Sequence, residues 1–470
     1  MARKKRKELI IENIKIEGVA DKGFSVGRFE NRVVFVRGAV PGDIVDVNVY
    51  RKRKDYMEGF MEVMHEPSKD RVEPFCSHFG VCGGCKWQHL DYQAQLHHKW
   101  LEVKNALTRI GKLDIPEVPP VLPAQKTKYY RNKLEFTCSN KKWLTKEQID
   151  AGILPESFNA VGFHRPRAFD KIVDIQHCYL QDEPSNEIRN EVRRFALEHE
   201  YSFFDIKKQE GFLRQMFVRS ASTGEVMIII GFFYEDVERR MALLDHLRAK
   251  FPQITSLMYV VNTKLNNTIF DQDVICHSGQ DFIYEELGHV RFRVGPKSFF
   301  QTNTEQALEL YKIIADFADL KGTENVYDLY TGIGSIACFV ANKCRQITGV
   351  EEIEAAIEDA RKNAALNNLT NTSFYAGLVR NILDESFWEK HGKPDLVITD
   401  PPRGGMHAKV VNILLELAAP RIIYVSCNPA TQARDLNLMK DMYKVDKIQP
   451  VDMFPHTYHI ENVALLKRVV

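Results

Sequence analysis

A cysteine ends the apolar, β-forming run IIYVSCNP, which begins at Ile422. The Asn-Pro pair after Cys427 is typical of a helix start, and a helix N-terminus stabilises a thiolate. An inert buried thiol is the commonest state of a cysteine, but this one directly follows a predicted strand. Where strands and helices alternate, ligands lie at the carboxyl ends of the strands. We therefore predict that Cys427 is a nucleophile.

Candidate bases lie close to the C-terminus, in the segment FPHTYHIEN that begins at Phe454. His456, His459 and Glu461 precede or begin the last predicted strand. Histidine and glutamate both serve as general bases, so these residue types leave the choice open.

Two further strand ends indicate a nucleoside cofactor. The segment DLYTGIGS begins at Asp328 and carries Gly332 and Gly334 before a helical pattern, so the backbone there can approach a ligand. The full dinucleotide fingerprint is absent, because Ala337 occupies its third glycine position. The next β run ends at Glu351, and an acid about 20 residues beyond a glycine loop suits a ribose hydroxyl pair.

The fourth β run ends in Asp400-Pro401-Pro402-Arg403. The prolines stiffen the turn and hold the carboxylate near the crevice. Enzymes that methylate base amino groups often carry an aromatic residue after such a motif. Arg403 in that place argues against amino-group chemistry and favours a phosphate or backbone contact.

A cysteine nucleophile, a base and a nucleoside cofactor suit methylation of carbon 5 of uracil. Carbon 5 is a poor nucleophile, but a thiolate that adds to carbon 6 converts the ring into an enolate. Carbon 5 can then attack an electrophilic methyl group, after which a base removes the carbon-5 proton and the thiol is expelled.

A second group of cysteines has spacing that is typical of metal binding. Cys76, Cys82 and Cys85 stand within ten residues, with two glycines that let the loop wrap around a metal. Three thiols leave one coordination position for a distant ligand, and the set suits a [4Fe-4S] cluster or zinc. His78 and His89 keep a zinc site open, and unbound structural thiols are the third reading. A radical enzyme would use a different spacing, Cys-x3-Cys-x2-Cys.

Composition restricts the class of protein. The chain of 470 residues suggests about three domains. Hydrophobic residues make up 44% and charged residues 27%, which is an ordinary globular balance. The longest apolar run, VMIIIGFF from Val226, is too short for a membrane helix, and the basic N-terminus lacks the apolar core of a secretory signal. Nine cysteines do not suit a disulfide scaffold at this length, so we predict a cytoplasmic protein that does not bind membranes.

The elements that must position these residues fall into three segments. Residues 1–67 hold short β runs that predict a small antiparallel barrel, and their basic clusters at 3–7 and 51–54 suit nucleic acid. Residues 68–300 form a mixed α+β domain. Residues 301–470 alternate strands and helices, which predicts a doubly wound α/β domain with a parallel sheet.

Over nearly its whole length the chain resembles the RNA (uracil-5-)-methyltransferases that use S-adenosylmethionine. The resemblance is carried by motifs in matching order and spacing: SFFQTN around Gln301, DPPR at Asp400, SCNP around Cys427 and FPHTYHIE ending at Glu461. It implies a C-terminal Rossmann-like class I methyltransferase domain and an N-terminal RNA-binding TRAM barrel of OB type. The helix near 91–111 is expected to pack on the catalytic domain.

The resemblance also implies roles for individual residues. Cys427 is the expected nucleophile and Glu461 the expected proton acceptor. The matching cofactor-binding positions are Gln301, Tyr330, Glu351 and Asp400. The implied ligands of a [4Fe-4S] cluster are Cys76, Cys82, Cys85 and Cys178. One position departs from the pattern, because relatives carry Asp or Asn where Leu378 stands, and that side chain helps to hold the adenine.

The expected substrate is RNA, because a base must leave its stack before a thiolate can reach carbon 6. The basic, aromatic segment YYRNK at Tyr129 and the barrel could hold unpaired RNA. Bacterial transfer-RNA enzymes of the family lack the barrel and the four-cysteine cluster, which favours 23S ribosomal RNA over transfer RNA. We expect a monomer.

Two alternatives stay open. Methylation of cytosine carbon 5 normally uses a second cysteine in a Pro-Cys motif beside the fourth strand, and Asp400-Pro-Pro-Arg403 has none. An RNA-binding or assembly factor without catalysis is supported only by Leu378.

Overall fold

The computed structural model describes residues 9–469, so the basic cluster at residues 3–7 lies outside the described residues. The first strands close into a barrel in the order β1-β2-β3-β5-β4. The strands are β1 (Leu9–Ala20), β2 (Phe24–Phe29), β3 (Arg32–Arg37), β4 (Ile44–Lys52) and β5 (Tyr56–Glu66), with a 3-10 turn at Asp21–Gly23. The prediction of a purely antiparallel barrel is wrong in one respect, because β3 and β5 pair in parallel. The segment 38–43 crosses between β3 and β4, which makes this arrangement possible.

Side chains along the barrel strands point alternately inwards and outwards, so apolar residues fill the interior and polar residues face outwards. Ile14, Ile16, Val34, Val45 and Val47 are buried in a small core of their own. The barrel is therefore a separate packing unit with its own hydrophobic centre.

The helix α1 (Tyr92–Asn105) follows the cysteine-rich loop and continues into a π-helical turn (Ala106–Ile110). Leu96, Val103 and Leu107 on this helix share a hydrophobic cluster with Leu436 and Met439 of the C-terminal segment. These shared contacts place α1 against the helix that contains Leu436 and Met439.

The central segment forms a seven-stranded mixed sheet in the order β12-β11-β10-β9-β6-β7-β8. Its strands are β6 (Lys133–Ser139), β7 (Ala160–Arg165), β8 (Ala168–Asp174), β9 (Leu213–Ser220), β10 (Val226–Phe232), β11 (Ile254–Val261) and β12 (Ile275–Gly279). Its helices are α2 (Lys146–Asp150), α3 (Ser185–Glu198) and α4 (Val237–Lys250), and a hairpin of β13 (Ile283–Leu287) and β14 (Val290–Val294) follows. Only β10 and β11 pair in parallel, and α4 provides the connection between them.

The C-terminal segment forms a second seven-stranded sheet in the order β17-β16-β15-β18-β19-β21-β20. Its strands are β15 (Asn325–Leu329), β16 (Gln346–Glu351), β17 (Thr372–Ala376), β18 (Leu396–Thr399), β19 (Arg421–Ser426), β20 (Tyr443–Val451) and β21 (Glu461–Arg468). Its helices are α5 (Thr304–Ala318), α6 (Ser335–Val340), α7 (Glu354–Leu366), α8 (Val379–Ile382), α9 (Glu385–His391), α10 (Ala408–Leu417) and α11 (Pro429–Met439), with a 3-10 turn at Ala341–Lys343.

Five strands of this sheet are parallel, as predicted, and β21 runs antiparallel to both β19 and β20. The strands β15 and β18 are buried along their whole length, and β16 and β19 are buried except at their ends, because helices cover both faces of the sheet. The loop after β15 and the loop after β18 meet near the middle of the sheet, where the strand order reverses. This edge of the sheet is where ligands of doubly wound folds bind.

The central and C-terminal segments share a hydrophobic cluster. Met227 and Met258 of the central sheet, Phe292 of the hairpin, and Leu310 and Phe339 of the C-terminal segment all belong to it. The boundaries at residues 67 and 300 stay predictions. Within residues 9–469, no helix is both long enough and apolar enough to cross a bilayer.

Candidate active site

The antiparallel pairing of β19 with β21 brings two of the predicted residues face to face. The register pairs Tyr424 with Ala464 and ends at the pair Ser426 and Asn462. Continuing that register by one residue sets Cys427 opposite Glu461. Cys427 is the residue after β19 and Glu461 is the first residue of β21, so both lie at the edge where the cofactor loops end.

The Cys427 thiol is half-buried in acidic surroundings. Burial, with a smaller contribution from the nearby carboxyl groups of Glu461 and Asp400, raises its pKa to about 11, while the Arg403 guanidinium acts in the opposite direction. The thiol is therefore protonated at neutral pH in the ligand-free protein. Formation of the thiolate requires a cation or a proton acceptor beside it.

Three carboxyl groups from three strand ends gather at this edge. Asp328 is 1% exposed and Glu461 is 6% exposed. Burial raises the pKa of Asp328 to about 7, and burial together with Asp328 raises the pKa of Asp400 to about 7. Burial and the neighbouring Asp400 also hold the pKa of Glu461 well above the usual range. A carboxylate with a raised pKa is a stronger proton acceptor, as a general base at neutral pH needs to be.

Arg403 is a cation whose charge acts on both Cys427 and Glu461. Its Nη2 lies 2.9 Å from Nδ1 of His459, and its backbone carbonyl accepts hydrogen bonds from Asn428 Nδ2 (3.1 Å) and Thr431 Oγ1 (3.3 Å). Its charge lowers the pKa of both Cys427 and Glu461. The hydrogen bonds to its carbonyl hold the backbone of Arg403 beside the start of α11, and the predicted phosphate or backbone contact of Arg403 stays a prediction.

The structure separates the three candidate bases. His456 turns towards α1, where its Nδ1 lies 3.2 Å from Gln95 Nε2, and burial lowers its pKa to about 4. His459 is occupied by Arg403. Only Glu461 stands next to Cys427 across the β19–β21 pair.

The glycine loop after β15 has the backbone shape that a ligand site needs. Tyr330, Gly332 and Gly334 all have positive φ angles, of 64°, 57° and 77°. A side chain added at Gly332 would meet no atom within 4 Å, so this position faces open space. Glu351 ties the loop to the next strand, because its Oε2 accepts from Gly332 N (3.2 Å) and its Oε1 accepts from Ile353 N (3.1 Å).

Gln301 and Leu378 lie outside this loop, in other segments of the chain. The carbonyl of Gln301 accepts a hydrogen bond from Asn132 Nδ2 (2.9 Å), so a residue of the central segment holds the SFFQTN motif. Leu378 is the N-cap residue that precedes α8. Its backbone is extended, and its side chain makes no capping hydrogen bond to the helix. The preceding Gly377 N donates to the Glu351 carbonyl (2.8 Å), which places residue 378 beside Glu351.

Sequence reasoning missed three residues of this region. Asp328 marked the start of the glycine loop, but only the structure shows its carboxyl group buried with Thr331 Oγ1 donating to it at 2.5 Å. Tyr311 is buried on α5 and donates to Ser335 Oγ (2.8 Å), and helical periodicity was its only signal. Asn132 carried no signal, because its partners lie far away in the chain.

The four predicted metal ligands line one cavity. Cys76, Cys82, Cys85 and Cys178 surround it together with His78, among other residues. Burial raises the pKa of Cys82 and of Cys85 to about 12, and neighbouring thiols of the set add to the effect. Within residues 9–469, no three His, Cys, Asp or Glu side chains already stand in metal-binding geometry. The donor set nonetheless fits a four-thiolate centre, and His78 Nε2 is engaged by Gln176 N (3.2 Å).

The chain matches the family model described as tRNA (Uracil-5-)-methyltransferase over residues 209–469. It also matches the TRAM domain model over residues 6–60. A protein of Bacteroides thetaiotaomicron named as an uncharacterized RNA methyltransferase is 51% identical over 452 residues, which cover 96% of this chain and 100% of that protein. This chain belongs to the tRNA (uracil-5-)-methyltransferase family.

Further members of the family align over nearly their whole length. A Porphyromonas gingivalis protein with the same description is 49% identical and covers 97% of this chain and 99% of its own. The crystal structure of Pyrococcus abyssi tRNA (uracil-54, C5)-methyltransferase in complex with S-adenosyl-L-homocysteine is 30% identical, with a TM-score of 0.74, and covers 96% of this chain and 99% of that one. The predicted TRAM barrel, methyltransferase fold and S-adenosylmethionine dependence are therefore confirmed.

We expect Glu461→Gln to lower the pKa of the Cys427 thiol in this family member, because the change removes a negative charge that opposes thiolate formation. Alkylation of Cys427 by iodoacetamide, followed by peptide mass spectrometry, should accelerate with rising pH towards about 11 in the wild type. In the variant the same acceleration should occur at lower pH.

Cys276 is the internal control, because its half-buried thiol has a pKa raised by burial and by Asp281 instead. Its alkylation profile should be the same in both proteins. Identical Cys427 profiles would contradict the electrostatic coupling.

Proposed function

We propose that this RNA methyltransferase methylates carbon 5 of a uridine with Cys427 as the nucleophile and Glu461 as the base. The observation that carries the proposal is their placement on adjacent antiparallel strands, at the edge where the cofactor loops end. A nucleophile and a proton acceptor side by side at the end of one strand pair can address two adjacent ring carbons.

The reaction needs few groups beyond these two. The Cys427 thiol first releases its proton to water, and Sγ then forms a bond to carbon 6 while the electron pair of the ring double bond moves towards carbon 5 and the carbonyl. S-adenosylmethionine, when bound, supplies the electrophilic methyl group. Glu461 accepts the proton of carbon 5, the double bond re-forms, and the carbon 6–sulfur bond breaks so that the sulfur leaves as a thiolate.

Arg403 assists the first step through its charge. It lowers the pKa of the Cys427 thiol, which burial and two carboxyl groups raise. It also favours the ionised form of Glu461, which is the form that accepts a proton. The Arg403 guanidinium therefore favours the ionised forms of both Cys427 and Glu461.

The cofactor is proposed to bind over the glycine loop with help from Gln301, Tyr330, Glu351 and Asp400. The open face at Gly332 gives room for close backbone approach, and the Glu351 carboxylate ends where ribose hydroxyls bind in such folds. Relatives carry Asp or Asn at position 378, so with Leu378 beside Glu351 the contact of this chain with the adenine would be apolar instead of polar.

A group of cations supports an RNA path between the barrel and the central domain. Arg37 on β3, Lys86 in the cysteine loop, and Arg165 and Arg167 at the β7–β8 turn form it. Burial is the largest cause that lowers the pKa of Lys86 and of Arg165, and repulsion from the neighbouring arginines lowers it further. In the part of the chain that the structure describes, none of the four pairs with an acid, so phosphate groups are their natural counter-ions.

Aromatic rings accompany these cations. The Arg37 guanidinium lies 4.3 Å from the Phe24 ring, and the Arg167 guanidinium lies 3.8 Å from the Tyr50 ring. Tyr50 in turn packs on Phe60, which is 40% exposed. Cations interleaved with aromatic rings are typical of surfaces that bind single-stranded RNA.

We propose 23S ribosomal RNA as the substrate, because the barrel and the four-cysteine cavity accompany the ribosomal branch among bacterial enzymes. Transfer RNA is the second candidate. The Pyrococcus abyssi transfer-RNA enzyme covers 96% of this chain, so the whole architecture also suits that substrate. The uracil-5 family match removes support from cytosine-5 methylation.

The cysteine cavity is proposed to hold a [4Fe-4S] cluster through Cys76, Cys82, Cys85 and Cys178. The support is the convergence of four thiols from two distant segments on one cavity. The cluster would join the cysteine loop to the central domain. Cytoplasmic location and a monomeric state stay predictions from the sequence.

We expect the wild-type protein, supplied with S-adenosylmethionine, to form a covalent adduct with RNA that contains 5-fluorouridine. Fluorine at carbon 5 cannot leave as a proton does, so elimination stops after methyl transfer. A band that resists denaturation in gel electrophoresis, with the modified peptide mapped to Cys427, is the measurement.

Cys427→Ala should form no adduct and transfer no methyl group, while its affinity for RNA stays within about twofold of wild type. Full methyl transfer by this variant, or no adduct with the wild type, would refute the mechanism.

A deletion strain separates the two RNA candidates. We expect 23S ribosomal RNA from the strain to lack a 5-methyluridine that returns on complementation, while transfer RNA keeps its own. Nucleoside mass spectrometry and mapping of both RNAs measure this. Loss confined to transfer RNA would replace the first candidate by the second.

We expect the protein purified without oxygen to be brown and to contain iron and acid-labile sulfide. Cys178→Ser should lose both, because it removes the one ligand from the distant segment. Cys276→Ser, which changes a cysteine outside the cavity, should keep them. Colourless wild-type protein with stoichiometric zinc would refute the cluster.

A further inference from the structure

Helix α1 turns three polar side chains into the protein interior. Tyr92, Gln95 and Lys99 lie on one side of the helix, at a spacing of three and four residues. Gln95 and Lys99 are both 0% exposed. The helix lies outside the two segments that match family models, residues 6–60 and 209–469.

Lys99 forms an ion pair with Asp452, just after β20, in which neither side chain is exposed. Its Nζ lies 2.6 Å from Asp452 Oδ1. The second oxygen, Oδ2, accepts from Tyr92 OH (3.0 Å), and Phe454 N donates to Oδ1 (3.1 Å). The carboxylate is therefore fully engaged by α1 and by its own loop.

The same helix holds the residues that follow Asp452. Lys99 Nζ donates to the Phe454 carbonyl (3.2 Å), and Gln95 Oε1 accepts from His456 N (2.9 Å). Other parts of the protein bind the remaining carbonyls of residues 453–456. These contacts are Asn303 Nδ2 to Met453 O (2.9 Å), Tyr130 OH to Pro455 O (3.0 Å), Lys86 N to His456 O (2.8 Å) and Trp87 N to His456 O (3.0 Å).

Residues 452–456 thus have a fixed backbone, and the chain then enters β21 at Glu461. The place where β21 begins decides whether Glu461 stands opposite Cys427. Because side chains alternate along a strand, a shift of one residue would turn Glu461 to the other face of the sheet. Holding residues 452–456 therefore controls the direction of the base.

We propose that Lys99, through its ion pair with Asp452, is a positioning residue that sets Glu461 for proton removal. The inference rests on the proposed function, since it assumes that Glu461 is the base. Cys427 directly follows β19, and the side-chain hydrogen bonds of Lys99 go to Asp452 and Phe454, so thiol addition and methyl transfer are affected less than elimination.

A buried ion pair is weak evidence for stability, because desolvation offsets the attraction of its charges. Removing one partner leaves the other charge buried alone, whereas replacing both by neutral groups of similar size is often neutral for stability. The double variant Lys99→Met with Asp452→Asn leaves no buried charge alone, so it tests the positioning role of the ion pair without preventing folding.

We expect this double variant to fold, to bind S-adenosylmethionine within about twofold of wild type, and to keep its KM for RNA. Its kcat should fall by about 10²-fold, the size of effect that a misplacement of about 1 Å produces. On ordinary uridine RNA with S-adenosylmethionine, a covalent adduct at Cys427 should accumulate, because elimination is now the slow step. Tyr92→Phe, which removes one hydroxyl, should show the same adduct with a smaller loss of kcat.

Lys141→Met is the matched control, because Lys141 also pairs with a buried carboxylate, that of Asp205, at 3.0 Å. It should lower stability without adduct accumulation. If the wild type is trapped on 5-fluorouridine RNA but the double variant and Tyr92→Phe both turn over at the wild-type rate, or slow down without adduct, Lys99 has only a structural role. If the wild type is not trapped, the proposed function itself fails.

Discussion

The antiparallel entry of β21 between β19 and β20 is the constraint on which this active site depends. Every other strand of the catalytic sheet brings its carboxyl end to the ligand edge, whereas β21 brings its amino end there. A residue at the start of β21 therefore meets a residue just beyond the end of β19. This geometry places Glu461 opposite Cys427 although the two are distant in sequence and belong to different motifs.

The second feature of the site is a cluster of three carboxyl groups whose pKa is raised by burial. Asp328, Asp400 and Glu461 come from three strand ends, and burial raises the pKa of each. The same environment disfavours the thiolate that the proposed reaction needs, and Arg403 counteracts this through its charge. In that reaction a cationic sulfonium and an RNA base would enter the site, where the raised pKa of Glu461 suits a general base at neutral pH.

Segments outside the methyltransferase sheet complete the site. The amides of Lys86 and Trp87, directly after the cysteine loop, donate to the His456 carbonyl, and α1 holds Asp452. The cysteine cavity, the cations between barrel and central domain, and the loop that leads to Glu461 are therefore neighbours. Such proximity suits an RNA methyltransferase that extrudes one base, because the proposed RNA surface and the proposed chemical site share the same supporting backbone.

The sequence by itself determined the local features: the class of the catalytic domain, the strand ends at Asp328, Glu351 and Asp400, the likeness of Cys427 to a nucleophile, and the cysteine spacing. These depend on periodicity and on short motifs, which neighbouring residues encode. Residue types left His456, His459 and Glu461 open, and the family resemblance singled out Glu461. Only the tertiary structure decided the parallel pairing of β3 with β5, the order of the central strands, the placement of Glu461 opposite Cys427, and the buried pair of Lys99 and Asp452. Those features arise from contacts between residues far apart in the chain, where burial and strand register, rather than local pattern, set which side chains meet.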